Sequence, residues 1–382
     1  MMMDRSGRKA AKMFLDAADM LETGKTVRRS RIAVTGMGSE LGERPFIDAC
    51  INAVSRGFRI YYLGQGVVPD AVNVICEDET DCETEMLRLL ASGECDAAVT
   101  MHHAFPIGTA TVGRVIAPSR GKEMFIATTT GTPSSDRIES LVLGAIYGVI
   151  AAKSSGNGNP SIGILNIDGA RRAETALRNL CDAGFPLRFA ESARADGGVI
   201  MRGNDVLLGT ADVLVCDPLT GNVLTKMLSA YNSGGYNECS GYGYGPGIGR
   251  DARKPVMIVS RASDTPVISN AILYADEVYN GGISEITTAM LTQAEKCGLR
   301  EILDSIHDRA PERIDSVAPP EREPVTESVT GIEVTDIEDA TRLLWKHGIY
   351  AESGMGCTGP VVMISANNVV RAAELLSEAR YI

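Results

Sequence analysis

The sequence predicts an α/β protein: a three-layer α/β/α sandwich with a mostly parallel sheet, plus a small C-terminal α+β module carrying a cysteine loop. Short apolar runs alternate with helical patterns from Arg31 to Lys296. Strands that are apolar throughout belong in parallel sheets covered by helices on both faces. The stretch Asp308–Thr330 is rich in proline and acidic residues and reads as a linker. The expected domains are 1–305, a linker over 306–330 and the module over 331–382, with a possible lobe junction at 153–160.

A first helix is expected from Arg8 to Glu22, where Met13, Phe14, Ala17, Met20 and Leu21 repeat at helical spacing before Gly24. Strand Arg31–Thr35 leads into the turn Gly36-Met37-Gly38-Ser39, and Pro45 opens a helix that Gly57 ends. Strand Arg59–Leu63, helix Asp81–Ser92, strands Ala97–Met101 and Phe125–Thr129 and the apolar helix Ser135–Ala152 follow. Beyond the turn Lys153–Pro160 the pattern restarts. Strand Ile162–Ile167 precedes helix Arg171–Ala183, and strand Val213–Cys216 precedes helix Asn222–Tyr231. Strand Val256–Ser260 leads to helices near Pro266–Tyr279 and Ser284–Lys296. The run Ser233–Gly249 holds seven glycines and three tyrosines and reads as a mobile loop or a lid. In the module, helices Asp336–His347 and Asn367–Arg380 enclose two short strands around the loop Glu352–Pro360.

Composition narrows the function. A formal charge of −12 argues against nucleic acid and against anionic lipid as partners. Nine scattered cysteines without a Cys-x-x-Cys pair, and only four histidines, give no pattern for zinc or iron–sulfur. No metal and no bound cofactor are expected. Free thiols at this density fit a reducing cytoplasm. The N-terminus lacks a signal-peptide core, and no run of about 18 apolar residues suggests a membrane span.

Several strand ends carry small or hydroxyl residues, where loops entering helices can meet an anion. They include Gly36, Gly38 and Ser39, the run Thr128–Thr132 with Thr130, and Asn222 followed by Lys226. Each also reads as an ordinary strand–helix turn. Gly36–Gly42 is not a dinucleotide fingerprint, and no Walker-type Gly-Lys-Ser/Thr occurs. His102 and His103 follow an apolar strand and read as structural histidines or the start of a catalytic loop. The loop Glu-Ser-Gly-Met-Gly-Cys-Thr-Gly-Pro places Cys357 among Gly354, Gly356, Thr358 and Gly359. It reads either as a tight hairpin around a buried thiol or as a nucleophile with backbone N–H groups around it. Cys239, in the glycine-rich run, is the rival thiol.

The segment Gly203–Asp217, with Asn204 and Asp205, and its continuation Thr220-Gly221-Asn222-Val223-Leu224-Thr225-Lys226 resemble the central motif of the phosphate acyltransferases. Ile162–Ile167 and Cys95–Thr100 are similar to further landmarks of that family, so the resemblance covers roughly residues 30–305. The run His102–Pro106 departs from the acyltransferase pattern, and those proteins lack the cysteine module. Over nearly its whole length, including the loop Gly354–Pro360, the chain is similar to the alpha subunits of component C of glycine, sarcosine and betaine reductase complexes.

This resemblance implies a cytoplasmic subunit that forms acetyl phosphate by phosphorolysis of an acetyl thioester on Cys357, with inorganic phosphate as substrate. Gly354, Gly356, Thr358 and Gly359 would surround the oxyanion. Gly36, Gly38, Ser39, Thr130, Asn204, Asn222 and Lys226 would bind phosphate or acyl group. The implied partners are a thiolase-like beta subunit and a selenoprotein A carrying carboxymethyl-selenocysteine, in an oligomeric assembly. The alternatives are a stand-alone acyltransferase using acyl-carrier protein or coenzyme A, and a non-catalytic scaffold for the beta subunit.

Overall fold

The computed structural model describes residues 29–194, 197–307, 317–356, 359–379 and 381–382. The helix expected at Arg8–Glu22, and Cys357 and Thr358, lie outside the described residues. The chain opens with β1 (Arg31–Thr35), α1 (Arg44–Ser55), β2 (Arg59–Gly64), β3 (Val72–Ile75), α2 (Glu79–Ser92) and β4 (Ala97–Thr100). A hairpin of β5 (Thr109–Ile116) and β6 (Glu123–Thr132) leads to α3 (Arg137–Ser154), β7 (Ser161–Leu165) and α4 (Ala170–Asp182). Next come β8 (Arg188–Phe189), β9 (Ile200–Met201), α5 (Gly203–Leu208), β10 (Val213–Val215) and α6 (Pro218–Ala230). The body ends with β11 (Gly245–Gly249), β12 (Val256–Ile258), α7 (Thr265–Asn280), α8 (Ile283–Lys296) and α9 (Leu299–His307). The module holds β13 (Glu327–Thr330), α10 (Ile337–Lys346), β14 (Ala351–Gly356), β15 (Gly359–Ile364) and α11 (Val369–Glu378).

The main sheet has the order β3-β2-β1-β4-β12-β11-β5-β6-β10-β7-β8, with β9 also on β7. Alternate strand residues point to opposite faces, and both faces are covered. Ile32, Val34, Ala97 and Val99 pack with α1 and α7, whereas Ala33, Ala98 and Ile258 pack with Met86 and Leu89 of α2. In the other half, Phe125 and Val213 join the first core, while Ile126 and Leu214 meet Leu224 and Leu228 of α6. The three-layer body is therefore as the apolar strands predict.

Three antiparallel pairings, β12–β11, β11–β5 and β5–β6, interrupt the otherwise parallel sheet. Three reversals make β6, β10 and β7 run opposite to β1, β4 and β12. The turn at 153–160, the expected lobe junction, joins α3 to β7 within this single sheet, where β10 lies between β6 and β7.

The glycine-rich run 233–249 is corrected most. Its second part is β11, a fully buried strand in the middle of the sheet. Gly245 has φ +83°, and a Cβ there would lie 1.7 Å from the Val112 carbonyl oxygen. Only glycine allows that approach, so the composition that suggests mobility reflects tight packing.

The expected linker also ends early. Glu327–Thr330 pairs with β15 in a small antiparallel sheet of order β13-β15-β14, which has its own core around Leu344, Val362 and Leu376. This module touches the body at α4. Gly169, which precedes α4, offers no capping side chain. Instead Glu333 of the module accepts hydrogen bonds from Gly169 N (3.0 Å) and Arg171 N (3.3 Å), and Arg172 pairs with Asp336. Free N–H groups and the helix dipole favour a carboxylate at that position. Among the described residues, no helix is long and apolar enough to cross a membrane.

Candidate functional site

A cavity of about 330 Å³ opens where β1 and β4 end, lined by Thr35, Met37, Glu79, Thr100, His102 and Arg261 among others. The Thr35 and Thr100 hydroxyls are 2.9 Å apart at its floor. Arg261, just beyond β12, forms two bonds to Glu79 (3.1 and 2.6 Å) and one to the Gly38 carbonyl (2.7 Å). The Arg261 guanidinium holds the Glu79 carboxyl below the usual carboxylate range. The preceding residue, Ser260, takes a hydrogen bond from Lys226 Nζ at 3.2 Å.

That contact depends on the direction of α6. Asp217 caps the helix through Thr220 N (3.0 Å), and Pro218 occupies its first turn. Gly221 lets the helix lie on the end of β6, since a Cβ there would be 1.8 Å from the Thr128 carbonyl oxygen. Asn222, next in the chain, donates to the Thr129 carbonyl at 3.3 Å. One turn further, Lys226 shares its face. Because α6 runs back along the sheet, it carries Lys226 away from the end of β10 to Ser260, just beyond β12.

The glycine turn and Lys226 are thus linked through Ser260 and Arg261, and Asn222 ties the same helix to Thr129. The backbone is less free there than the turn suggests, because the Gly36 amide donates to Leu63 O at 2.9 Å. Ser39 Oγ accepts from Leu41 N and donates to Arg261 O. Thr130 is engaged through both N and Oγ1 with Thr111 Oγ1. Asn204 stands apart, exposed on α5. In its motif Asp205 does the structural work, accepting from Ser192 Oγ, Ala193 N and Arg202 N.

Gly354 and Gly356 lie in β14 and Gly359 begins β15; Gly356 and Gly359 form the last pair of that hairpin. His103 pairs with Glu83 (3.0 Å) and packs edge-on against Phe105, whereas His102 faces the cavity. Burial pushes the Cys95 thiol up to about 12 and raises those of Cys50, Cys82 and Cys216 further, which makes them inert. Cys239 is half-buried, and its backbone N–H donates to Ser229 O at 2.9 Å.

Sequence reasoning missed Ser260, Arg261, Glu238 and Tyr244. Ser260 and Arg261 follow an apolar strand, the same signal that singles out Gly36 and Ser39. Glu238 and Tyr244 are hidden by the glycine-rich composition around them.

The model of the fatty acid synthesis protein family matches residues 30–363. The chain belongs to that family. Its relatives include the glycine/sarcosine/betaine reductase complex component C subunit alpha of Peptoclostridium acidaminophilum, 46% identical, with 96% of this chain and 97% of that one covered. Another is the phosphate acyltransferase of Sulfurimonas denitrificans, 25% identical over 51% of this chain and 69% of that one. A branched-chain phosphotransacylase from Enterococcus faecalis V583 matches in structure with a TM-score of 0.46 and 18% identity, covering 65% of this chain and 99% of that chain. Within the family, the reductase-subunit relative spans the cysteine module as well as the body.

Proposed function

We propose that this family member is the alpha subunit of a glycine/sarcosine/betaine reductase component C and forms acetyl phosphate from an acetyl thioester on Cys357. A phosphate oxygen attacks the thioester carbonyl carbon, giving a tetrahedral oxyanion. The C–S bond then breaks, the electron pair leaves with the Cys357 sulfur as thiolate, and acetyl phosphate departs. Phosphate is largely dianionic near pH 7, so it needs positioning and charge relief more than a base. Arg261 in the cavity wall, with Lys226 on the neighbouring Ser260, supplies positive charge, and N–H groups of the cysteine loop stabilise the oxyanion; such a donor contributes about 3–4 kcal/mol. No bound cofactor takes part.

The observation that carries this reading is the Lys226–Ser260 contact, which ties a cation to the residue preceding Arg261, itself part of the cavity lining with Thr35 and Thr100. The 46% identity across both body and module supports assigning the two parts to one reaction. The proposed setting is the cytoplasm, within an oligomeric complex containing a thiolase-like beta subunit and a selenoprotein A that delivers the two-carbon unit. The test is phosphate-dependent acetyl phosphate release by the reconstituted complex. Cys357→Ser abolishes it on this reading; full activity in that variant refutes the cysteine role. Turnover by this chain alone with coenzyme A or acyl-carrier-protein thioesters would favour a stand-alone acyltransferase.

A further inference from the structure

We propose that Glu238 is the positioning residue of this site, fixing the Lys226 ammonium so that one of its N–H groups remains for phosphate. The proposal rests on the reading of Lys226 as a phosphate ligand. Glu238 is fully buried. Its Oε1 lies 3.3 Å from Lys226 Nζ and accepts from the Tyr244 hydroxyl at 3.0 Å. Its backbone is fixed as well: the N–H donates to Ala262 O (2.9 Å) and the carbonyl accepts from Asp264 N (2.8 Å). The carboxylate is therefore held by Tyr244, just before β11, and its backbone by the turn after β12, before it meets the lysine.

Stability does not explain the arrangement. Glu238 Oε2 is buried without a hydrogen-bond partner, a costly state that native structures seldom keep without reason. The ion pair offsets little, because the Lys226 side chain is 54% exposed and pairs with an exposed lysine contribute weakly. An apolar residue of similar size would pack at least as well. What the carboxylate does provide is direction. A lysine ammonium has three N–H donors on a flexible stem. Ser260 Oγ accepts from one of them at 3.2 Å, and the Glu238 carboxylate lies beside the ammonium at 3.3 Å. The half-exposed Lys226 side chain leaves the ammonium accessible to an anion, next to the residue before Arg261. A cation fixed in advance binds an anion without first losing its own rotational freedom.

The test is equilibrium dialysis of the purified full-length chain against inorganic phosphate, with thermal melts alongside. Lys226→Ala should weaken binding roughly tenfold, as expected for losing one charge-assisted hydrogen bond. Glu238→Gln keeps the shape but not the charge, and should weaken binding several-fold with Lys226 intact. The double variant should bind no more weakly than Lys226→Ala, since Glu238 acts through the lysine. Additive losses would overturn the positioning role, as would wild-type binding by Glu238→Gln while Lys226→Ala is impaired. Wild-type binding by Lys226→Ala would instead overturn the reading of Lys226 itself, and this proposal with it. If Glu238→Gln does not fold, Tyr244→Phe removes only the hydroxyl that holds the carboxylate. It should weaken phosphate binding in the same direction, and unchanged binding would overturn the proposal.

Discussion

Lys226 Nζ lies 3.2 Å from Ser260 Oγ, and this contact joins two halves of a sheet that run in opposite directions. β1 and β6 are separated by four strands and three reversals, so their C-terminal ends do not share an edge. Strand ends alone therefore do not assemble the expected anion site. Helix α6 spans the gap, touching Thr129 through Asn222 and Ser260 through Lys226.

Arg261 holds the cavity wall by bonding Glu79 and the Gly38 carbonyl. Arg261→Ala releases both and leaves Glu79 without its cationic partner. The specificity constant for phosphate in the complete complex should fall by about 100-fold, the scale expected when site geometry loosens, while the thermal midpoint moves little.

Gly245→Ala places a methyl group against the Val112 carbonyl at a residue with φ +83°. The neighbouring strand must shift in the centre of the sheet. A loss of ~3 kcal/mol is expected in denaturant unfolding, at the upper end for overpacking. The same substitution at Gly156, where nothing lies within 4 Å, tests only the backbone term and should cost less.

The contrast explains what could be read in advance. β1, β4 and β10 are short apolar runs whose burial follows from composition. β11 is legible only once β5 is known to lie 1.7 Å from a Cβ that glycine lacks, and that is a property of the partner strand. Likewise, β13 hides among prolines and acidic residues because its pairing with β15 spans more than thirty positions. The strand-end residues Gly36, Ser39, Asn222 and Lys226 could be named as candidates from their local context. Their connection through Ser260 and Arg261, and the buried Glu238 beneath Lys226, depend on the reversed half-sheets. In the Gly-Asn-Asp motif the local reading favours Asn204, whereas the fold uses Asp205.

Asp205 should give stability that disappears in acid. Burial opposes its charge, but bonds from Ala193 N, Arg202 N and Ser192 Oγ outweigh that and hold its carboxyl below the ordinary range. A folded value below the unfolded one means stability is present above the unfolded value, near pH 4, and is lost as pH falls through the folded one. Asp205→Asn should lower stability by ~3 kcal/mol at pH 7, the scale for disrupting a buried hydrogen-bonded charge. It should also flatten the acid limb of the unfolding profile.

Glu333 has the opposite sign. Burial and the nearby Asp168 raise its carboxyl above the ordinary value, although Gly169 N and Arg171 N pull it down. Its contribution is full below the unfolded value and declines as pH rises through the folded one. Glu333→Gln keeps an acceptor for the start of α4 and should remove that decline. Glu333→Ala should speed hydrogen exchange at Gly169 and Arg171 at neutral pH, since both lose their acceptor.

The most direct test of the central claim is mass spectrometry of the complex supplied with its two-carbon donor and trapped without phosphate. An acetyl adduct on the Cys357 peptide that disappears when phosphate is added, as acetyl phosphate forms, is the predicted result. Acetyl phosphate formation with Cys357 unmodified throughout would contradict the account.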